Sequence, residues 1–408
     1  MNLIRPLPSP PVKRLAIQVK PAAERALRQG HPWIFEEAIT RQQAEGEAGS
    51  LAVVFDRKKD KFLAVGLYDP YSPIRIKVLQ AGRPAHIGQS FFAARIAEAY
   101  ARRRPLLETD TDSYRLIYGE NDGLPGLVAD VYGQVLVLKL YSLIWLPYLP
   151  SVLPALLQSS GSATAVLRLS RNLQSRPALL HGLSDGQVLT GALPEEEIIF
   201  REHGLRFSAN VVKGHKTGYF LDHRHNRKRI GELSKGKRVL DVFAYAGGFS
   251  VHALAGGASE VVSLDISAQA LGMARKNAAL NGLSGRHHTL AGDAFQAMRQ
   301  LCQDGEVFDI VIVDPPSFAK QATEHSRAIE AYQQLAELAA ALVAEGGLLL
   351  LASCSSRVPA EDFFEAISAA LGQLPRHFRE VARTFHDVDH PIGFPQGAYL
   401  KAVYLEAT

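Results

Sequence analysis

The sequence predicts an α/β protein whose C-terminal half is a parallel sheet with helices on both faces. A small β-barrel or sandwich and a central α+β segment precede it. Two observations carry this expectation. From about residue 237, five apolar runs alternate with helical stretches: RVLDVF, EVVSLDI, HHTLAG, FDIVIVD and GGLLLLASCS. Such alternation requires crossovers, and hence parallel pairing. Before residue 80 the apolar runs are short and bounded by polar turns, as in LAIQV, SLAVVFD, FLAVGLYD and IRIKVLQ. That is the texture of a small all-β unit.

Taken in order, the front strands flank the charged turn Arg57-Lys58-Lys59-Asp60-Lys61. Residues 88–107 change to helical spacing, with Phe91, Phe92, Ile96 and Tyr100 on the apolar side. Arg102, Arg103 and Arg104 fall in the last turn, where cations suit the helix dipole, and Pro105 is expected to stop the helix. Residues 111–210 alternate strands (LVADVY, QVLVLKLYS, AVLRLS, EIIFREHGLRFSA) with one helix. At the C-terminus, HFREVARTF and AYLKAVYLEA are joined by a Pro/Gly-rich loop too short for a helical crossover. They are expected to pair antiparallel.

Composition narrows the class. The chain has 408 residues, 47% hydrophobic and 21% charged, which suits two or three domains with real cores and excludes a disordered or collagen-like chain. Two cysteines, Cys302 and Cys354, exclude a disulfide framework and suit a reducing compartment. The start MNLIRPLPSPPVKR has no apolar signal region, and the most apolar stretch, 335–352, is broken by Glu337, Glu345, Gly346 and Gly347. A soluble, cytoplasmic protein without a membrane span is expected. Net charge is +4, but residues 1–110 hold 18 Lys+Arg against 11 Asp+Glu, leaving −3 for the rest. A basic front end on a near-neutral body suits a polyanion-binding module, or simply a solvated basic face.

Ligands of a doubly wound sheet gather at the carboxyl ends of its strands. The first strand leads into LDVFAYAGGFS, with Asp241 in the run and Gly247-Gly248 opening the next helix. This is neither GxGxxG nor GxxxxGK[ST], so a pyrophosphate cradle is not supported. Asp265 ends the second strand, where an acid can accept both hydroxyls of a ribose. Asp293 follows the third, within reach of an adenine amino group. Three acids at successive strand ends suit a nucleoside ligand without phosphates, S-adenosylmethionine rather than NAD. The alternative is that they only cap helices.

The fourth strand ends in DPPSF: Asp314, Pro315, Pro316, Ser317 and Phe318. Two prolines fix a stiff exit and expose carbonyls, and Phe318 offers a ring for a flat substrate; a merely rigid loop is the plain alternative. Cys354 lies just past the fifth apolar run, at the mouth and beside DPPSF. A lone cysteine is by default a small buried hydrophobe, but this position suits a nucleophile. Cys302, on a helix, reads as structural. In GHKTGYFLDHRHNR (214–227), His215, His223, His225 and Asp222 match no zinc spacing. No metal is expected; Tyr219, Arg224 and Asn226 read as packing over the cofactor or touching RNA.

Together these segments resemble the rRNA large-subunit methyltransferase I family, S-adenosylmethionine-dependent cytosine carbon-5 RNA methyltransferases. The matching segments are GHPWIF (30–35), GENDGLPGLVADVYG (119–133), GHKTGYFLDHRHNR, LDVFAYAGGFS, DPPSF, SCSS and DHPIGFPQGAYLK (389–401). The resemblance implies an RNA-binding PUA domain over 1–84, a central α+β domain over 85–205 and a Rossmann-like class I methyltransferase domain over 206–408. It implies S-adenosylmethionine against Tyr219, Asp222, Arg224, Asp241, Phe243, Ala244, Tyr245, Gly247, Gly248, Asp265, Ser267, Asp293 and Ala294. Cys354 would be the nucleophile and Asp314 would face the base, with Pro315, Pro316 and Phe318 around it. The implied partner is RNA, large-subunit rRNA, with a homodimer as one arrangement.

The chemistry supplies a separate reason for Cys354. Carbon 5 of cytosine is a weak nucleophile until a thiolate adds to carbon 6. Many cytosine methyltransferases carry a second cysteine in the fourth-strand motif to help release product; DPPSF has none. Two other readings stay open: a nitrogen-directed RNA methyltransferase using DPPSF without a covalent step, and a non-catalytic RNA-binding assembly factor. Arg57, Lys58, Lys59, Lys61 and Arg102 to Arg104 are the candidates for phosphate contacts.

Overall fold

A computed structural model describes residues 6–319 and 321–408 of the chain. Two compact units emerge. The first holds the chain up to Arg201 with residues 209–221 and 388–397; the second holds 202–208, 222–387 and 398–408.

The first unit begins with a six-stranded sheet in the order Trp33–Phe35, Ile74–Ala81, Phe62–Tyr68, Leu51–Phe55, Leu15–Val19 and Ile39–Gln42. Leu15–Val19 alternates buried and half-buried residues and pairs parallel with Leu51–Phe55, while the other pairings are antiparallel. A short helix, Pro21–Arg28, follows the first strand. Its length and charge gave no periodic signal, but Pro21 at its first position is preset for a helical start.

The longer helix Gln89–Leu107 buries Phe92, Ile96 and Ala99. Pro105 lies inside it rather than ending it, and the cap falls on Glu108. Arg103, expected among the phosphate contacts, is fully buried. All five of its donors are engaged: Nη1 and Nη2 donate to Asp122 at 2.8 and 2.6 Å, and the remainder to the carbonyls of Arg115, Ala99 and Asp389. It is a structural residue. A second sheet runs Val188–Thr190, Thr164–Leu169, Val135–Leu140, Leu127–Tyr132 and Ser113–Tyr118. The segment read as one strand over 197–209 is instead a hairpin, Glu197–Glu202 with Leu205–Asn210, turned at His203-Gly204 with φ near +51° and +78°.

In the second unit we number the sheet strands β1 (Arg238–Val242), β2 (Glu260–Asp265), β3 (His287–Ala291), β4 (Phe308–Val313), β5 (Val343–Ser353), β6 (Phe378–Thr384) and β7 (Lys401–Ala407). The helices are α1 (Arg224–Leu233), α2 (Gly248–Ala255), α3 (Ala268–Leu280), α4 (Ala294–Gln303), α5 (His325–Leu342) and α6 (Ala360–Gly372). Sheet order is β3-β2-β1-β4-β5-β7-β6. The first five strands are parallel; β7 joins β5 and β6 antiparallel, as the sequence predicts. The order reverses between β1 and β4, which opens a crevice at the carboxyl edge. Leu240, Val242, Val311, Val313, Leu349 and Leu351 fill the central core. Among the described residues no helix is long and apolar enough to cross a membrane.

Candidate active site

The β1–α2 loop is the most strained stretch of the sheet edge. Phe243 and Tyr245 take left-handed φ of 65° and 49°, and Gly247 follows at 73°. Left-handed non-glycine residues cost on the order of 1–3 kcal/mol each, and they persist where surroundings over-determine them. Here Phe243 and Ala244 donate to the Leu264 carbonyl at 2.9 and 3.1 Å, Tyr245 donates to Asp265 Oδ2 at 2.9 Å, and Gly247 donates to Ala244. A Cβ on Gly247 would sit 2.8 Å from the Ala274 methyl, so only glycine lets α2 approach α3 here. Four amides of the loop are thus committed within the protein. A nest of free N–H groups for a pyrophosphate is not what this loop offers, which fits a nucleoside ligand carried by carboxylates.

Asp265 is half-buried and fastens two loops: Oδ1 accepts the Ser267 amide at 2.8 Å while Oδ2 holds Tyr245. A carboxylate has about four acceptor sites, so each oxygen keeps one for a hydroxyl. Ser267 caps α3 by accepting from the Ala270 amide, and Asp293 caps α4 by accepting from the Gln296 amide at 3.0 Å. Asp293 is exposed and Ala294, beginning α4, is buried.

Asp241 lies beneath this layer, 1% exposed, accepting the Ser250 amide and hydroxyl at 3.1 and 2.6 Å. Burial pushes its carboxyl up to about 7; the Ser250 bonds oppose this, and the charges of Asp314 and Asp265 add to it. Arg224 is also fully buried, 3.5 Å from Glu202 and 3.6 Å from Asp387. Burial alone would raise the Glu202 carboxyl. Arg227, bidentate at 2.6 and 2.7 Å, with His252 and Arg224, holds it down to about 2. Asp222 accepts the Tyr399 hydroxyl at 2.6 Å. Tyr219 belongs to the first unit, where its backbone is held by the Tyr132 hydroxyl and its ring lies 5.1 Å from Phe200.

The parallel register of β4 and β5, Val313 with Leu351, brings the two strand ends together. There the Cys354 thiol donates to the Pro315 carbonyl at 3.6 Å, beside the half-buried Asp314. Pro315 is buried and Pro316 exposed. The Phe318 ring packs against Tyr332 at 5.2 Å and Phe295 at 6.4 Å, which anchors the loop to the core. Cys302, on α4, is half-buried with its thiol pushed up by burial.

Two groups beside these were given no role at this site by the sequence. Lys401 is 2% exposed on β7, opposite Ser353, and its ammonium donates to the carbonyls of Ser355, Val358 and Tyr399. Burial pulls it down to about 8, and the Cys354 thiolate pulls the other way. The one available signal was a lone charge in the apolar run AYLKAVYL. His223, at the start of α1, brings Nε2 to 3.4 Å from Asp314 Oδ1. Burial lowers this imidazole, but the Asp314 carboxylate, with Asp222, holds it above its ordinary value. Among the described residues no group of three or more His, Cys, Asp or Glu is placed to hold a metal.

Comparison with known proteins agrees with this architecture. Residues 162–400 match the S-adenosylmethionine-dependent methyltransferase family and 17–81 match the PUA-like domain. The chain is 47% identical over 405 residues to a ribosomal RNA large subunit methyltransferase of Deinococcus radiodurans, covering 98% of this chain and 99% of the relative. It is 35% identical over 396 residues to ribosomal RNA large subunit methyltransferase I of Shewanella amazonensis, covering 95% and 98%. A solved protein of Streptococcus mutans, described as a SAM-dependent methyltransferase, shares the fold with TM-score 0.80 at 19% identity, over 96% of this chain and 99% of that one. S-adenosylmethionine is accordingly the cofactor, and the chain belongs to the ribosomal RNA large subunit methyltransferase I family.

Proposed function

We propose that this protein methylates carbon 5 of a cytosine in large-subunit rRNA, with Cys354 as the nucleophile. The single observation that carries this reading is the Cys354 thiol at the mouth of the sheet, bonded to the Pro315 carbonyl of the DPPSF loop and next to Asp314. The rRNA substrate is the one named for the relatives. S-adenosylmethionine supplies an electrophilic methyl group when bound. The strained loop Phe243 to Gly248 shapes its seat, with Asp265 for the ribose and Asp293 and Ala294 for the base. Asp222 and Ser267 stand at its margins, while Asp241 and Arg224 support rather than line it.

Cys354 adds to carbon 6, and the electron pair of the 5,6 bond makes carbon 5 nucleophilic. Asp314 holds the ring nitrogen and supplies the proton that nitrogen takes up. The thiolate must be stabilised for this, and Lys401, whose ammonium is bonded one residue beyond Cys354, places a positive charge there. Residues 1–84 are the RNA-binding part in this reading, 85–205 the connecting part and 206–408 the catalytic part. The exposed Arg57, Lys58, Lys59 and Lys61 form a turn suited to phosphates. The target base must leave its stack to reach Cys354.

Unmodified rRNA from cells lacking the gene, incubated with labelled S-adenosylmethionine, tests the reading. Label is expected in 5-methylcytidine, with a loss of at least about 10³-fold for Cys354→Ala. Label in a nitrogen-methylated base, surviving that substitution, would replace the reading with nitrogen-directed transfer.

A further inference from the structure

We propose that His223 is the proton reservoir behind Asp314, charging the carboxyl group that protonates the target base as Cys354 adds. The inference rests on the cytosine reading above and deepens it. Three features of the geometry carry it. His223 is 3% exposed, and its Nε2, sealed from solvent, lies 3.4 Å from Asp314 Oδ1. The Phe249 ring packs against the imidazole with centroids 5.5 Å apart, holding it in that direction.

The third feature is the other side of the ring. Nδ1 lies 3.0 Å from the Asn226 amide, whose far atom meets the hydroxyls of Thr384 at 2.9 Å and Tyr404 at 3.0 Å. Hydroxyls both donate and accept. With the amide turned so that its nitrogen donates to these two hydroxyls, the Asn226 oxygen accepts Nδ1–H from the neutral and the charged imidazole alike. Nδ1–H keeps its bond in both states, and the proton gained or lost is the one on Nε2, which faces Asp314. The titratable and charged groups that face it are Asp314 just past β4, Asp222 just before it, and Arg227 and His225 from α1; burial pulls the His225 imidazole down to about 4, which leaves it neutral. The two carboxylates outweigh the Arg227 cation.

The proton balance is simple. The His223–Asp314 pair holds one proton beyond a neutral imidazole and a carboxylate. As the bond from sulfur to carbon 6 forms, the 5,6 electron pair becomes the 4,5 bond and the pair of the 3,4 bond moves onto nitrogen 3. Nitrogen 3 takes the stored proton from Asp314, which takes its replacement from Nε2, leaving a carboxylate and a neutral imidazole protonated on Nδ1. When the carbon-5 proton departs and the thiolate is expelled, nitrogen 3 returns its proton to the pair. The carbon-5 proton is the one net proton released.

Two measurements test this. In single-turnover methylation, His223→Gln keeps a hydrogen-bonding side chain but cannot titrate. The rate is expected to fall about 10²-fold, and the alkaline limb of its pH profile to move to lower pH, since Asp314 must then hold the proton alone. An unchanged alkaline limb would overturn the proposal. Should the Gln variant not fold, histidine NMR on the intact protein decides: the His223 resonance is expected to titrate above pH 6.5 and to drop in Asp314→Asn. A titration indifferent to Asp314→Asn would overturn it equally. The NMR result stands apart from the cytosine reading, which fails instead if Cys354→Ala still methylates.

Discussion

Two polar centres in this chain are built to opposite specifications. In the first unit Arg103 is wholly enclosed and every donor has a partner, two of them on the same carboxylate of Asp122. At the sheet edge of the second unit the contacts are long: His223 to Asp314 at 3.4 Å and Cys354 to Pro315 at 3.6 Å. On the proposed mechanism, the difference separates scaffold from chemistry. A closed charge network fixes geometry and has no capacity left for a ligand. A loosely bonded thiol, acid and imidazole retain their ability to exchange protons and electron pairs, and such contacts tighten when substrate arrives.

The comparison is broken most directly through Arg103. Arg103→Met leaves Asp122 buried without its bidentate partner, for which a loss of about 3–5 kcal/mol in urea unfolding is expected, with cofactor affinity in the folded fraction unchanged. A stability change within error would mean that the closed network is not a scaffold. Asp241 offers a smaller effect with a defined sign. Burial pushes its carboxyl in the folded state up to about 7, above the ordinary carboxylate value of 3.8. The folded state therefore binds more protons than the unfolded state between these values, and this carboxyl makes stability fall as pH rises from about 4 to about 7. Asp241→Asn keeps the acceptor for Ser250 and should flatten that fall, by up to about 3 kcal/mol, between unfolding titrations at pH 5 and pH 8. Parallel pH dependence in both proteins would exclude a buried neutral acid.

The smallest effect sharpens the other side of the comparison. With Cys302→Ser as background, Cys354 is the sole thiol, and its alkylation rate reports thiolate directly. Lys401→Met should shift that rate profile upward by about one pH unit, while Lys401→Arg should restore it. No shift would reduce Lys401 to a fastening of the Ser355 to Val358 loop.

Much of the second unit was legible in the sequence because its signals are periodic. Five apolar runs separated by helical stretches dictate a parallel sheet, and a short final loop dictates the antiparallel pair. The positions of Asp265, Asp314 and Cys354 at strand ends followed from that pattern. What stayed hidden depends on contacts distant in sequence. Arg102, Arg103 and Arg104 are equivalent letters, yet only the middle one is buried, bidentate on Asp122 and bonded to the carbonyl of Asp389, while Arg102 reaches Asp122 from a half-buried position. Pro105 reads as a helix stop, but the chain carries the helix to Leu107. The role of His223 depends on Asn226, Thr384 and Tyr404, which lie on three separate elements. Lys401 gains its significance from the carbonyls that follow Cys354, some forty residues earlier.

The central claim is a covalent bond between Cys354 and the target base. RNA carrying 5-fluorocytidine at the target cannot release the proton on which product departure depends. Incubated with the protein and S-adenosylmethionine, it should give a protein–RNA adduct stable to denaturing electrophoresis, absent with Cys354→Ala and mapped by peptide mass spectrometry to Cys354. Methylation of the natural RNA without an adduct from the fluorinated one, or an adduct that persists in Cys354→Ala, would contradict the account.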